Sequence, residues 1–235
     1  PSLSTKEELI EKGLSAEKIR VYPRGIDLDR FRPGRRSGFF KSRYGIGGGT
    51  RLLYVGRVSK EKNLHVLQQA FKRLQKKVPG LHLVVVGDGP FLPEMKRAMA
   101  GFPCTFTGYL EGEALCAAYA SSDIFVFPSA TDTFGNVVLE AQASGLPVIV
   151  TDSGGPAENV LPDSTGLVVP ANDVRLLEKA MHRLCSDPML RRQMGAAARR
   201  YMEDRSFEAA FIQTWEMYGH DRGVSAKSAA VSRAG

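Results

Sequence analysis

The chain has 235 residues, 43% hydrophobic and 24% charged, the balance of an ordinary globular protein with a sizeable core, built as one large domain with or without attachments. Its formal charge of +7 suits an anionic partner, whether nucleic acid, phosphorylated small molecule or anionic lipid surface, without choosing among them. No run approaches the roughly 18 apolar residues of a membrane-spanning helix, and "PSLSTKEELIEKGL" has neither the charged nor the apolar region of a signal peptide, so a soluble, unexported, cytoplasmic chain is expected.

At the front, "STKEELIEKGLSAEKIRVYPRGIDLDRF" reads as a helix, a strand and a loop that belong to something mostly upstream, as if the chain were cut from a larger protein. After a basic, glycine-punctuated segment from Arg32 to Thr50, short β-rich runs alternate with stretches of helical period. "RLLYVGR" (51–57) predicts a strand, and "NLHVLQQAFKRLQKKV" (63–78) a helix with Leu64, Leu67, Phe71, Leu74 and Val78 on one face. "LHLVVVGDG" (81–89) predicts a second strand ending in a turn, and "PFLPEMKRAMA" a short helix with proline in its first turn. "CTFTGYL" follows as a strand, "EGEALCAAYASS" as a helix, "DIFVFPS" as a strand, and "SATDTFGNVVLEAQASGLPVIV" (129–150) as loop, helix and strand. "GPAENVL", "TGLVVP" and a helix from about Asp173 to Ser186 complete the repeat. Pro188 to Tyr218 predicts two helices with no strand after them, and 219–235 has the small, polar composition of a disordered tail or non-native remnant.

This alternation predicts an α/β domain over residues 32–187, with a mostly parallel, doubly wound, Rossmann-like sheet. Ligands of such sheets lie beyond the carboxyl ends of the strands. The rule nominates Gly56-Arg57, Gly87-Asp88-Gly89, Gly108-Tyr109-Leu110, Pro128 to Asn136 and Asp152 to Pro156. The basic groups "KKVPG", "RRSGFFKSR" and "LRRQMGAAARR" lack the aromatic interleaving of a base-stacking surface, so nucleic acid is not an expected partner. Cys104, Cys116 and Cys185 are odd in number and lack metal-ligand or CxxC spacing, which suits reduced thiols with no catalytic role.

In "GRVSKEKN", Arg57 and Lys62, with Lys60 near them, precede a helix starting near Asn63. Two cations beside unpaired helix N–H groups make a phosphate clamp; a solvated loop with Asn63 as helix cap is the alternative. Further on, a helix beginning at Gly135 or Asn136 leaves Asp132 in the preceding loop and Glu140 just over one turn inside. At about 100° per residue, Asn136, Glu140 and Ser144 form a narrow polar seam on a largely buried helix. An ionised glutamate there needs partners: either hydroxyls of a bound sugar, or backbone or an arginine in a structural role. Gly135, lacking Cβ, lets a ligand approach the amides at the helix opening, and "SGGPAE" (153–158) repeats the device after the next strand.

The ordered set GR…K, VGDGP, FTGYL, D-x7-E, SGLPV and GGPAE resembles the group 1 glycosyltransferases, retaining two-lobed sugar transferases of GT-B architecture. The likeness spans about Pro1 to Tyr218 and corresponds to their C-terminal, donor-binding lobe, with residues 1–31 similar to the interdomain crossover and 188–218 as C-terminal helices. The resemblance implies that Arg57 and Lys62 hold the donor diphosphate as leaving group. Asp132 and Glu140 match the two acids of the family's E-x7-E motif, the first facing the transferred sugar and the second bonding the ribose; here the first acid is one methylene shorter than the usual glutamate. Phe134, Gly135 and Asn136 match the loop whose amides contact sugar and phosphate, Gly56 and Gly87 fall among the donor-binding turns, and Tyr109 and Leu110 fall where the base is held. No metal and no cofactor is implied, cations and helix dipoles serving instead.

The implied function is transfer of a hexose from a nucleoside-diphosphate sugar to a lipid, saccharide or other hydroxyl acceptor. The acceptor is expected to enter through an absent N-terminal lobe, leaving this chain alone inactive, and the basic surface admits peripheral contact with the inner face of a membrane. A related GT-B epimerase or phosphorylase needs different acids or a lysine-bound cofactor. A non-catalytic nucleotide-binding or membrane-surface module would bind donor without transfer or hydrolysis.

Overall fold

The computed structural model describes residues 2–222. Helix α1 (Leu3–Glu11) opens the chain and helix α2 (Phe39–Tyr44) precedes the sheet. Then come β1 (Arg51–Val55), α3 (Leu64–Gln75), β2 (His82–Val86), α4 (Leu92–Ala98), β3 (Cys104–Gly108), α5 (Gly112–Ala120) and β4 (Ile124–Phe127). The second half follows as α6 (Asn136–Ala143), β5 (Val148–Thr151), β6 (Gly166–Val169), α7 (Val174–Ser186), α8 (Pro188–Glu203) and α9 (Phe207–Arg222).

The six strands form one parallel sheet in the order β3-β2-β1-β4-β5-β6, flanked by helices. Its inner strands are apolar throughout because helices cover both faces, so "LLYV", "LVVV" and "IFVF" are buried almost without interruption. Helix α3 turns Leu64, Leu67, Phe71 and Leu74 inward and packs on α7, while α6 packs on α8. Asp173 and Asp187 cap α7 and α8 by accepting hydrogen bonds from first-turn amides.

The strand order reverses between β1 and β4. Their pairing runs only through Leu52–Ile124 and Leu53–Phe125, so the two carboxyl ends part. A doubly wound sheet opens its ligand crevice at such a switch point.

Three local expectations are corrected. "IRVYP" forms no strand: Pro23 lacks a ladder donor, Tyr22 stacks on Tyr218 of α9 with centroids 5.7 Å apart, and Ile26 makes a lone bridge to Ser206. Helix α2 lies inside the segment read only as basic and glycine-punctuated; it buries Phe40 and ends at left-handed Gly45. Helix α9 runs to Arg222, so the expected tail does not start at 219, and the rest of that tail lies outside the described residues. Among the described residues no helix is long and apolar enough to cross a membrane.

Candidate active site

The crevice floor is made of backbone. Beyond β1, the Gly56 amide donates to the Val86 carbonyl at 3.0 Å, and beyond β2 the Gly87 amide donates to the Gly108 carbonyl at 2.8 Å. Gly87 has φ +130°, and a Cβ there would lie 1.9 Å from the Gly56 carbonyl oxygen. Gly87 is not among the residues that wall the cleft at the switch point; its missing Cβ lets two strand ends touch. Buried Tyr54 stacks on Phe127 and donates its hydroxyl to the Arg57 carbonyl at 2.8 Å, which pins the backbone where the arginine side chain leaves the sheet.

The cleft at the switch point has a volume of about 460 Å³ and is walled by Gly56, Arg57, Lys62, Asp132, Phe134 and the Gly135–Val137 turn. Lys62 reaches it from a short helical turn, Lys60–Lys62, that precedes α3. Asn63 is left-handed, with φ 53°, and makes no side-chain cap bond, so the capping alternative for this loop fails. Lys60 pairs with Glu94 on the surface instead of entering the cleft. Lys62 Nζ lies 2.9 Å from Asp132 Oδ2, both side chains being largely shielded.

Gly135 begins α6 with φ +80°, so the Asn136 and Val137 amides, at positions that lack intrahelical acceptors, belong to residues that wall this cleft. "SGGPAE" does not repeat that device. A Cβ on Gly155 would lie 2.0 Å from the Thr133 carbonyl oxygen, and one on Gly154 2.6 Å from that of Asp132. These glycines admit the acid-bearing loop rather than a ligand. The Gly155 amide donates to the Asp132 carbonyl at 2.9 Å, and Asn159 Nδ2 to the Phe134 carbonyl at 2.7 Å. Glu158 accepts from the Leu3 and Ser4 amides at 2.7 and 2.8 Å, docking the start of α1.

Glu140 lines an adjoining pocket of about 370 Å³ with Arg30, Leu115 and Phe207; Arg24 and Asn136 belong to both cavities. Tyr119 donates to Glu140 Oε2 at 2.8 Å, a partner that the spacing did not foresee. Burial pushes the Glu140 carboxyl above its ordinary value, while the Tyr119 hydrogen bond and the Arg30 charge oppose that shift. Neither Tyr109, which is 76% exposed, nor buried Leu110 lines either cavity. Their expected place at the base therefore gains no support from these two cavities.

Arg24 escaped the sequence reading, because only folding brings it to α6. Its Nη1 donates to Asn136 Oδ1 at 3.2 Å, and its guanidinium lies 4.9 Å from the Phe134 ring centroid. The main cleft thus gathers three cations, Arg24, Arg57 and Lys62, against two carboxylates, Glu61 and Asp132. Positive charge and a helix N-terminus suit a phosphate ester, and Asp132 and Asn136 suit hydroxyl groups beside it.

The raised Glu140 pKa carries a stability cost wherever the side chain is ionised in the folded state. A carboxyl raised by folding helps stability fully below its ordinary value of 4.5 and loses that help as pH rises through the folded value. Glu140→Gln is therefore expected to raise the melting temperature at pH 7–8 by about 2–4 °C per kcal/mol recovered. The gain should vanish below the ordinary glutamate range; scanning calorimetry across pH checks this.

Residues 39–201 match the family described as glycosyl transferases group 1. The chain is 35% identical over 217 residues to a sulfoquinovosyl transferase of Arabidopsis thaliana, covering 89% of this chain and 42% of that protein. It is 34% identical over 226 residues to a GDP-mannose-dependent alpha-mannosyltransferase of Mycobacterium tuberculosis, covering 95% of this chain and 56% of that protein. The chain therefore spans about half the length of the curated relatives it matches. Among solved structures, Anabaena HepE in complex with UDP and glucose superposes with a TM-score of 0.83 at 21% identity, over 93% of this chain and 62% of that one, a likeness of fold.

Proposed function

The chain belongs to the group 1 glycosyltransferases, and from that premise we propose that it is the donor-binding half of a retaining hexosyltransferase that uses a nucleoside-diphosphate sugar. One observation carries this reading: Arg57, Lys62, Asp132 and the start of α6 wall a single cleft at the switch point of the sheet.

In this reading the diphosphate lies between Arg57, Lys62 and the α6 amides, and Glu140 in the adjoining pocket takes the ribose hydroxyls. As the bond between sugar and phosphate breaks, negative charge grows on the diphosphate and positive charge on the ring. Fixed cations and a helix end assist departure without a metal ion. Asp132, at the mouth of α6, faces the ring that becomes positive. The names of the relatives, which transfer mannose and sulfoquinovose, support a hexose as the group moved. A hydroxyl on a lipid or saccharide is the proposed acceptor, recognised with the further sequence that the relatives possess.

Thermal shift against UDP-, GDP- and ADP-sugars tests the donor reading. A ligand at 100 times its dissociation constant stabilises by about 2.7 kcal/mol, which moves the melting temperature by roughly 5–11 °C for a chain of this size. One nucleotide class is expected to produce that shift. No shift with any member of the panel overturns the reading.

A further inference from the structure

Tyr119 is fully buried on α5. Its ring meets Phe31 edge-on with centroids 5.7 Å apart, and lies 5.8 Å from Phe125. Phenylalanine would fill such a place without the cost of burying a hydroxyl, which needs a partner to offset its lost hydration. That partner is Glu140 Oε2, 2.8 Å away. Burial and the nearby Glu140 charge push the Tyr119 phenol well above its ordinary pKa, so the hydroxyl keeps its proton and donates.

The chemistry of this donor matters. An arginine in its place would neutralise the carboxylate and fork across both oxygens. A phenol has one proton, so it fixes one oxygen and leaves the other, with the negative charge, for a ligand. Arg24, Asp27 and Arg30 line the pocket that Glu140 shares, while Tyr119 approaches from the core, with Cys116 and Tyr54 as its own electrostatic neighbours.

We propose that Tyr119 is a positioning residue for nucleotide recognition, holding Glu140 by one carboxylate oxygen so that the other meets the ribose hydroxyls of the donor. The inference rests on the reading of Glu140 as the ribose acid.

Calorimetric titration of the chain with UDP and GDP, and with their 2′-deoxy and 3′-deoxy counterparts, tests it in Tyr119→Phe and Glu140→Gln. Tyr119→Phe is expected to weaken ribonucleotide binding roughly three- to tenfold, the range for loss of one hydrogen bond, and to leave the affinity for the deoxy compound lacking the gripped hydroxyl unchanged. Because the Tyr119 bond lowers the Glu140 pKa, the pH below which ribonucleotide binding fails should also move upward in this variant. A purely structural role would weaken both nucleotide types equally and leave that pH limit where it was, and either result overturns the proposal. If Glu140→Gln weakens ribonucleotide binding but Tyr119→Phe does not, the positioning role alone falls. If Glu140→Gln changes nothing, or the chain binds no nucleoside diphosphate, the ribose reading beneath it falls too. Should Tyr119→Phe not fold, fluorinating the Tyr119 ring keeps its shape and strengthens the donor; the pH limit should then move downward, and an unmoved limit counts against the proposal.

Discussion

Lys62→Ala is expected to weaken nucleoside diphosphate binding by about tenfold or more, because a hydrogen bond from a charged group is worth about 1.5–3 kcal/mol. The loss should exceed that of one contact. Lys62 also balances Asp132 at 2.9 Å, so its removal leaves an unpaired, shielded carboxylate beside the place proposed for the phosphates, adding repulsion to the missing attraction. Asp132→Asn should act in the opposite direction on affinity: it frees the ammonium, tightening diphosphate binding severalfold, while removing the charge proposed to face the reacting ring. Calorimetry on both variants measures these signs. Unchanged affinity in Lys62→Ala removes the lysine from the clamp.

Gly87→Ala is expected to be strongly destabilising. The new Cβ would stand 1.9 Å from the Gly56 carbonyl oxygen and 3.0 Å from its carbon, at a backbone angle of φ +130°. Both clashing atoms are main chain, so no rotamer relieves the contact. Moving apart would strain the Gly56–Val86 and Gly87–Gly108 hydrogen bonds that set the cleft floor. Backbone strain and overpacking together cost about 3–5 kcal/mol, a fall in melting temperature on the order of 10 °C. Gly48→Ala is the control: its Cβ would meet nothing within 4 Å, so the change should stay within about 0.5 kcal/mol. A Gly87→Ala variant that melts with the parent chain contradicts the packing account.

The sheet was legible because buried parallel strands leave continuous apolar runs such as "LVVV" between glycine turns, and because long helices keep the period seen in α3. Six-residue α2 was not, since so short a helix with exposed Lys41 and Arg43 carries too little periodicity to stand out. In the cleft, Arg57, Lys62, Asp132 and Asn136 were legible because the loops that carry them follow strand ends, and a doubly wound sheet gathers those ends. Arg24 and Tyr119 were not: they reach α6 from 112 and 21 residues away, distances that no local spacing encodes. The Gly154-Gly155 pair shows a further limit. A glycine needed for close approach looks the same in sequence whether the visitor is a ligand or another stretch of backbone.

The ammonium of Lys62 is already answered by a carboxylate before any guest arrives. A bare anion with no proton to donate, such as sulfate, would have to draw that ammonium away and offer the abandoned oxygen nothing in exchange. A visitor bearing both anionic oxygens and hydroxyl protons can satisfy each member of the pair at once. The resting pair therefore favours guests in which acid and alcohol are joined in one molecule over anions that bring no proton to the carboxylate.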